Sequence, residues 1–394
     1  MKKIRRILLA LATAVLLMPL GACGSVDLYE GYEGQYRVAM ITDSADITDK
    51  SFNQSTYEAC NAWCREHGVP FTYKKPEGPT DYARVAMVDI AVAEGYNIIV
   101  MPGYLFAGTV VECTDKYPDV KFIALDMTAG DIVASAVGDK YWNDPDAYNV
   151  ADYYNTGNTY CAVYKEEIPG FMAGYAAVRL GYRKLGYLGG QAVPAVMRYG
   201  YGFLQGIEAA AKELGVTDEI FVQYAYGGQF YGSTEITAVM DTWYSKGTEV
   251  VFACGGSIFS SVAEAAAKHN AHVIGVDDDQ SAIIDEYGKG MTITSAMKSL
   301  RATVFAMLNA IIIDNTWSEH VGQIEKLGLV SDTDIELNYV GLPLETTQWN
   351  DDFTVEDYQQ LVKKIYSGEY NISDSIDQVP NVSYDLSMRQ GTIM

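Results

Sequence analysis

From Tyr36 onward the chain alternates short, continuously apolar runs with amphipathic stretches of helical period, and it does so twice over. "YRVAMIT" precedes an expected helix from about Ser51 to His67, which "PFTYKKP" follows. A helix over Tyr82–Glu94, the strand "NIIVMPG", a helix over Gly108–Lys116 and the strand "KFIALD" come next. Runs that are apolar along their whole length are buried on both faces, and strand–helix–strand repeats join parallel neighbours. The period breaks after "IALDMT": residues 139–159, "DKYWNDPDAYNVADYYNTGNT", read as a long surface excursion. It restarts with "TYCAVY" and continues through "KLGYLGG", "IFVQYAY" and "EVVFACGG", each followed by a helix-period stretch, then "AHVIGVD" and "TITSAMKSLRATVFAMLNAII", a short strand and a long helix. Two consecutive runs of one α/β pattern predict two similar lobes side by side. In parallel sheets ligands bind beyond the carboxyl ends of the strands, and a cleft between lobes is where small molecules settle.

The first residues belong to a different logic. "MKKIRR" is basic, Ile7 to Ala22 is almost wholly apolar, and Leu20-Gly21-Ala22 leads into Cys23. A basic start, a short apolar core and small residues at the end make a secretory signal. The run is shorter than the ~20 residues of a spanning helix, and Pro19 interrupts it. Cys23 directly after the small residues resembles a bacterial lipobox, so cleavage before Cys23 and a lipid on its sulfur are expected, holding the protein on the outer face of a membrane. With residues 1–22 removed, 24 Lys and Arg stand against 51 Asp and Glu, a formal net charge of −27. Such a surface repels nucleic-acid phosphates. The five later cysteines, Cys60, Cys64, Cys113, Cys161 and Cys254, lack metal-ligand spacing and read as small apolar core residues.

Candidate site residues sit at strand ends. "IALD" ends in Asp126, "FACGG" in Gly255 and Gly256, "VIGVD" in Asp277, and "TITSAMK" brings up Lys298. An Asp after a strand also serves as a helix N-cap, Gly-Gly as a tight turn, and Lys as a solvated surface residue. Their common position at the carboxyl edge sets these apart. No Gly-x-Ser-x-Gly elbow and no phosphate loop is present, the four histidines lie apart, and no cofactor or metal is expected. Adjacent carboxylates occur at Glu166-Glu167 and Asp277 to Asp279, but a glycosidase acid–base pair needs two carboxyls opposed across a sugar, a geometry that sequence does not display. Binding without catalysis is the simpler reading.

The stretches "DKSFNQSTYEA", "GYNIIVMPGYLF", "YPDVKFIALD", "GFMAGYAAV", "LGYLGGQAVPAVMRYGYGFLQGIEAA", "VIGVDDDQS" and "TSAMKSL" occur in that order. Together they closely resemble the basic membrane protein family of lipoproteins, the purine-nucleoside-receptor-like substrate-binding proteins of ABC importers. The resemblance implies a type I periplasmic-binding-protein fold, two Rossmann-like α/β lobes with parallel sheets joined by three crossing segments. The division expected is a signal peptide over 1–22, a linker over 23–35, one lobe from 36–162 plus 293–320, and another from 163–292 plus 321–390. It implies a monomer that delivers a purine nucleoside to a membrane permease. The same fold with a sugar, nucleobase or vitamin, or as a receptor for a membrane signalling partner, is the alternative.

Position by position, the resemblance gives Phe52 the stacking on one face of the purine and makes Asn53 its polar neighbour. Phe230, in "GGQFYGS", matches the second stacking ring, with Tyr226 competing for the role. Asp126 matches the carboxylate at the base edge, and Asp277 and Lys298 the pair on the ribose hydroxyls. Asp43 and Gly256 complete the wall. Stacked rings supply ~1–3 kcal/mol per base, and a buried carboxylate rejects analogues that lack the matching donor.

Overall fold

The computed structural model describes residues 32–43, 45–48 and 51–394. The signal peptide and Cys23 lie outside the described residues. The first run of elements is β1 (Val38–Ile41), α1 (Phe52–His67), β2 (Phe71–Lys74), α2 (Asp81–Ala93), β3 (Ile98–Pro102), α3 (Ala107–Lys116), β4 (Lys121–Leu125), α4 (Ala129–Val137), α5 (Lys140–Asn143) and β5 (Thr159–Tyr164). The second is α6 (Glu167–Arg179), β6 (Lys184–Gly189), α7 (Pro194–Leu214), β7 (Phe221–Tyr226), α8 (Thr234–Ser245), β8 (Val250–Cys254), α9 (Phe259–His269), β9 (His272–Asp277), α10 (Ser281–Ile284) and β10 (Thr292–Lys298). The chain ends with α11 (Leu300–Ile312), β11 (Ile324–Leu327), β12 (Val340–Gly341), α12 (Val355–Tyr366) and β13 (Asp385–Thr392).

Among the described residues the strands form two sheets, ordered β11-β5-β4-β3-β1-β2 and β12-β10-β9-β8-β6-β7-β13. Every pairing is parallel except β10 with β12, which is antiparallel. β1, β3, β5 and β8 are buried at every position, as continuous apolar runs covered by helices on both faces must be. The five later cysteines are free and buried, packed as small core residues. No described helix is long and apolar enough to cross a membrane.

The chain passes between the sheets after β5, after β10 and after β11. Two of these crossings differ from the expected division. β10 was expected with the first lobe but pairs with β9, Ser295 beside Gly275 and Met297 beside Asp277. β11 was expected with the second but pairs with β5, Ile324 beside Cys161. The physical reason is that an apolar run shows that a strand is buried but not which strand it lies beside. α11 does return to the first layer, where the Trp63 indole of α1 donates to the Asn309 amide at 2.8 Å.

The region after β4 is also more ordered than its composition suggests. Thr128 and Asp131 close a reciprocal capping box at the start of α4. Residues 139–159 then run as α5 and single 3₁₀ turns. Asn158 pins this excursion by donating to the Thr114 and Tyr117 carbonyls, and Tyr154 is buried with its hydroxyl on the Gly322 carbonyl. Trp142 stays 58% exposed.

α6 and α7 pack with their backbones nearly touching. Gly170 and Gly174 of α6 lie against the Tyr199 and Phe203 carbonyls of α7, and Gly202 and Gly206 against the Glu167 and Phe171 carbonyls of α6. A Cβ at any of the four would collide with a carbonyl oxygen. The glycines at i and i+4 on each helix thus form matching flat faces.

Candidate functional site

The carboxyl ends of the two sheets meet around one ammonium group. Lys298 closes β10 and is 4% exposed. Its Nζ donates to Asp126 Oδ2 at 2.8 Å and lies 3.5 Å from Asp277 Oδ1 and 3.6 Å from Glu166 Oε1. Asp126 follows β4 in the first sheet, whereas Asp277 ends β9 in the second. Both aspartates have left-handed backbones, φ 59° and 66°. That conformation costs of order 1–3 kcal/mol in a residue with a side chain and persists where the surroundings demand it. Here the turn aims each carboxylate at Lys298.

Burial alone would pull the Lys298 ammonium toward neutrality. The Asp126, Asp277 and Glu166 carboxylates outweigh that effect and hold its pKa above the ordinary lysine value. Burial pushes the Asp277 carboxyl up, and Lys298 opposes the shift. Glu166 is wholly buried and accepts from Arg198 Nε at 2.6 Å. Burial raises its carboxyl to about 7, against the pull of Arg198 and Lys298. When ionised, this group of three carboxylates and two cations carries one excess negative charge. It favours hydroxyl and N–H donors and disfavours phosphate. Among the described residues no cluster of His, Cys, Asp or Glu is arranged to hold a metal ion.

Phe52 opens α1, partly buried, beside Gly103 at the end of β3. Lys298 Nζ sits 4.9 Å from its ring centroid, and 5.6 and 5.7 Å from those of Tyr164 and Tyr199, within cation–π range. Phe230 lies beyond β7 with its ring over Gly190 and Gly255, and its backbone is packed on Gly256. The Ser257 amide donates to its carbonyl at 2.9 Å. Tyr226, the rival for the second stacking role, turns instead to Tyr224, with the two hydroxyls 2.9 Å apart. Asn53 is 2% exposed and pairs with Asp43, donating from Nδ2 to Oδ1 and accepting from the Asp43 amide. The structure therefore gathers Asp126, Asp277, Lys298 and Phe52 directly. Phe230 and Gly256 form a second group on the other sheet, and Asp43 with Asn53 brace the loop after β1.

Further contacts cross between the layers. Ser51, the residue before α1, donates to Asp277 Oδ2 at 3.0 Å, and Ser55 one turn later donates to Asp278 at 2.7 Å. Between Tyr104, Asp126, Thr128 and Asp131 on one side and Pro194 and Arg198 on the other, a void of only about 20 Å³ remains. That holds about one water, whereas ligand pockets run to ~300–1,000 Å³. A molecule larger than water does not fit in that void as it stands. A wider groove of about 310 Å³ lies beside β12, lined by residues including Met297, Tyr339 and Tyr358, and none of the expected site residues borders it.

Glu166 and Arg198 were not among the expected site residues. The available signals were a carboxylate two residues past a buried strand and one cation in the otherwise uncharged "PAVMRYGYGFLQG".

Over residues 36–375 the chain matches the Bmp family, described as ABC transporter substrate-binding protein PnrA-like. It is 25% identical over 257 residues to the ABC transporter nucleoside-binding protein BmpA of Lactococcus lactis, covering 62% of this chain and 64% of that protein. An uncharacterized lipoprotein of Pyrococcus abyssi is 24% identical over 300 residues, 74% of this chain and 67% of its own length. Basic membrane protein B of Borreliella afzelii is 24% identical over 317 residues, 79% and 83%. The chain thus spans just under two thirds of BmpA and about two thirds of the Pyrococcus lipoprotein. Among solved structures, an ABC transporter solute-binding protein from Conexibacter woesei superposes with a TM-score of 0.65 at 19% identity, covering 86% of this chain and 99% of that one. One from Aeropyrum pernix gives 0.59 at 21%, covering 86% and 87%. These two share the α/β fold with its parallel sheets.

Proposed function

We propose, since the chain belongs to the Bmp family of PnrA-like ABC transporter substrate-binding proteins, that it is the binding component of an importer and that its ligand is a purine nucleoside. It binds and releases that ligand without chemical change. The observation that carries this reading is the Lys298 ammonium held among Asp126, Asp277 and Glu166 where the sheets meet, with the Phe52 ring against it. Ribose hydroxyls and base N–H groups are donors for those carboxylates, and the excess negative charge that the cluster carries once Glu166 ionises disfavours nucleotides. Phe52 on one layer and Phe230 on the other supply flat apolar faces for a base. A relative whose name records nucleoside binding supports the same class of ligand. A ligand that touches both layers favours the closed arrangement through its differential contacts with it, and that closed shape is what a permease reads.

Calorimetry with inosine, guanosine, adenosine, cytidine, ribose and riboflavin tests the ligand class. Heat is expected with at least one purine nucleoside. Phe52→Ala and Asp277→Ala are each expected to weaken binding at least tenfold, about 1.4 kcal/mol. Silence with every purine nucleoside would sink the proposal, and heat with ribose or riboflavin alone would move it to another ligand class. Cys23 is the proposed lipid attachment point on the extracytoplasmic face of the membrane. Cys23→Ser is expected to release the protein into the medium; retention in the membrane fraction would refute the anchor.

A further inference from the structure

We propose that β13 and the two residues after it act as a strap that positions the loop carrying Phe230 for ligand, a role that rests on the nucleoside reading above. The family match ends at residue 375, so this strand lies beyond it. The segment is fastened before it reaches the loop: Ser383 bonds Glu208 of α7 through its amide and hydroxyl, and Tyr384 donates to the Leu204 carbonyl at 3.0 Å. β13 then runs parallel to β7, with Asp385 beside Phe221 and Met388 beside Tyr224. Its next paired residue is Thr392, beside Tyr226, so four steps of β13 pass two of β7. Gly391, at φ 69°, sits in this bulge.

Past the bulge the chain reaches the site loop. The Ile393 amide donates to the Tyr226 carbonyl at 2.9 Å and the Met394 amide to the Gly227 carbonyl at 3.0 Å. Ser233, at the far end of the loop, donates to Met394 Sδ at 3.3 Å. Thr392 and Met394 also lie against Gly228, where φ is 90° and a side chain would crowd them. The inner side of the loop is held by the strand ends: Gly227 and Gly228 donate to the Gly189 and Gly190 carbonyls, and Phe230 accepts from Ser257. Phe230 is therefore carried by a segment clamped on both sides, one clamp being the sheet and the other this terminal strand. Ordering a loop before ligand arrives removes that cost from binding. Without the strap, β7 becomes an edge strand and the outer clamp is lost.

The test uses truncation after Gly391, which leaves the pairing of Asp385 to Met388 intact, and Ile393→Pro in the full-length chain, which removes one clamping N–H. Amide hydrogen exchange of residues 227–233 without ligand is expected to accelerate at least tenfold in the truncated chain and to rise in Ile393→Pro. Purine nucleoside affinity is expected to fall about three- to tenfold, and to fall no further when the truncation is added to Phe230→Ala, because one lost position accounts for both. Unchanged exchange in both variants overturns the proposal. So does an equal affinity loss with and without Phe230, which would make the strand a general stabiliser. If the full chain binds no nucleoside, the ligand reading fails on its own, and the exchange measurement alone decides whether the strap orders the loop.

Discussion

Lys298→Met is expected to lower stability by ~3–5 kcal/mol at neutral pH and to abolish measurable nucleoside binding. Deleting one partner of a buried ion pair leaves uncompensated charge, which is far more costly than the net worth of the pair. Here one ammonium faces Asp126, Asp277 and Glu166, and Arg198 bonds only Glu166 among them. The pH dependence should change with the charge. Glu166 already titrates at about 7 in the folded protein against an ordinary 4.5, and Asp277 is also raised, both chiefly by burial. A carboxyl raised on folding binds more protons folded than unfolded, so its contribution is full below the unfolded value and fades as pH climbs through the folded one. Removing Lys298 raises these carboxyls further. The deficit of the variant is thus expected to shrink as pH falls from 8 toward 5. The parent's ammonium stays charged throughout that window, since its pKa is raised above the usual lysine value. Urea denaturation at both pH values measures this. A variant as stable as its parent at pH 8 would show that the ammonium does not balance the carboxylates.

How much of this centre was legible beforehand follows from what is local. Asp126, Asp277 and Lys298 could be picked out because each ends an apolar run, and run ends in parallel sheets share an edge. Glu166 also follows a buried strand, but its partner Arg198 is 32 residues away, and nothing local links them. The same limit hid the sheet to which β10 belongs, since strand partners are non-local. β13 escaped for another reason. Its inner and outer positions, "DLSMRQGT", are largely exposed, so it lacks the apolar run by which the buried strands were found. Asn53 follows Phe52 in the chain, and its amide is engaged with Asp43. Spacing located it but could not say which way the amide points.

The helix pair beneath this centre gives the other large expected effect. Gly174→Val and Gly206→Val are each expected to cost ~3 kcal/mol or more, and even Gly206→Ala should destabilise. Two effects compete in the alanine variant. Helix propensity favours Ala over Gly by ~1 kcal/mol, whereas overpacking costs typically ~1–3 kcal/mol. Packing should win, because the added Cβ meets the Phe171 carbonyl oxygen rather than the end of a flexible side chain. A helix carbonyl cannot swing aside without breaking its own bond, so the whole of α7 must move from α6. Glu166 immediately precedes α6, and Arg198 lies in the early turns of α7. Their 2.6 Å bond depends on that spacing. Gly202→Val, placed against the Glu167 carbonyl, should therefore weaken ligand binding as well as the fold. Gly78, with open space around it, is the control: Gly78→Ala should stay within about 0.5 kcal/mol of the parent. Urea midpoints decide the matter. A Gly206→Ala chain more stable than its parent would mean that propensity outweighs the contact and that the helices can separate freely.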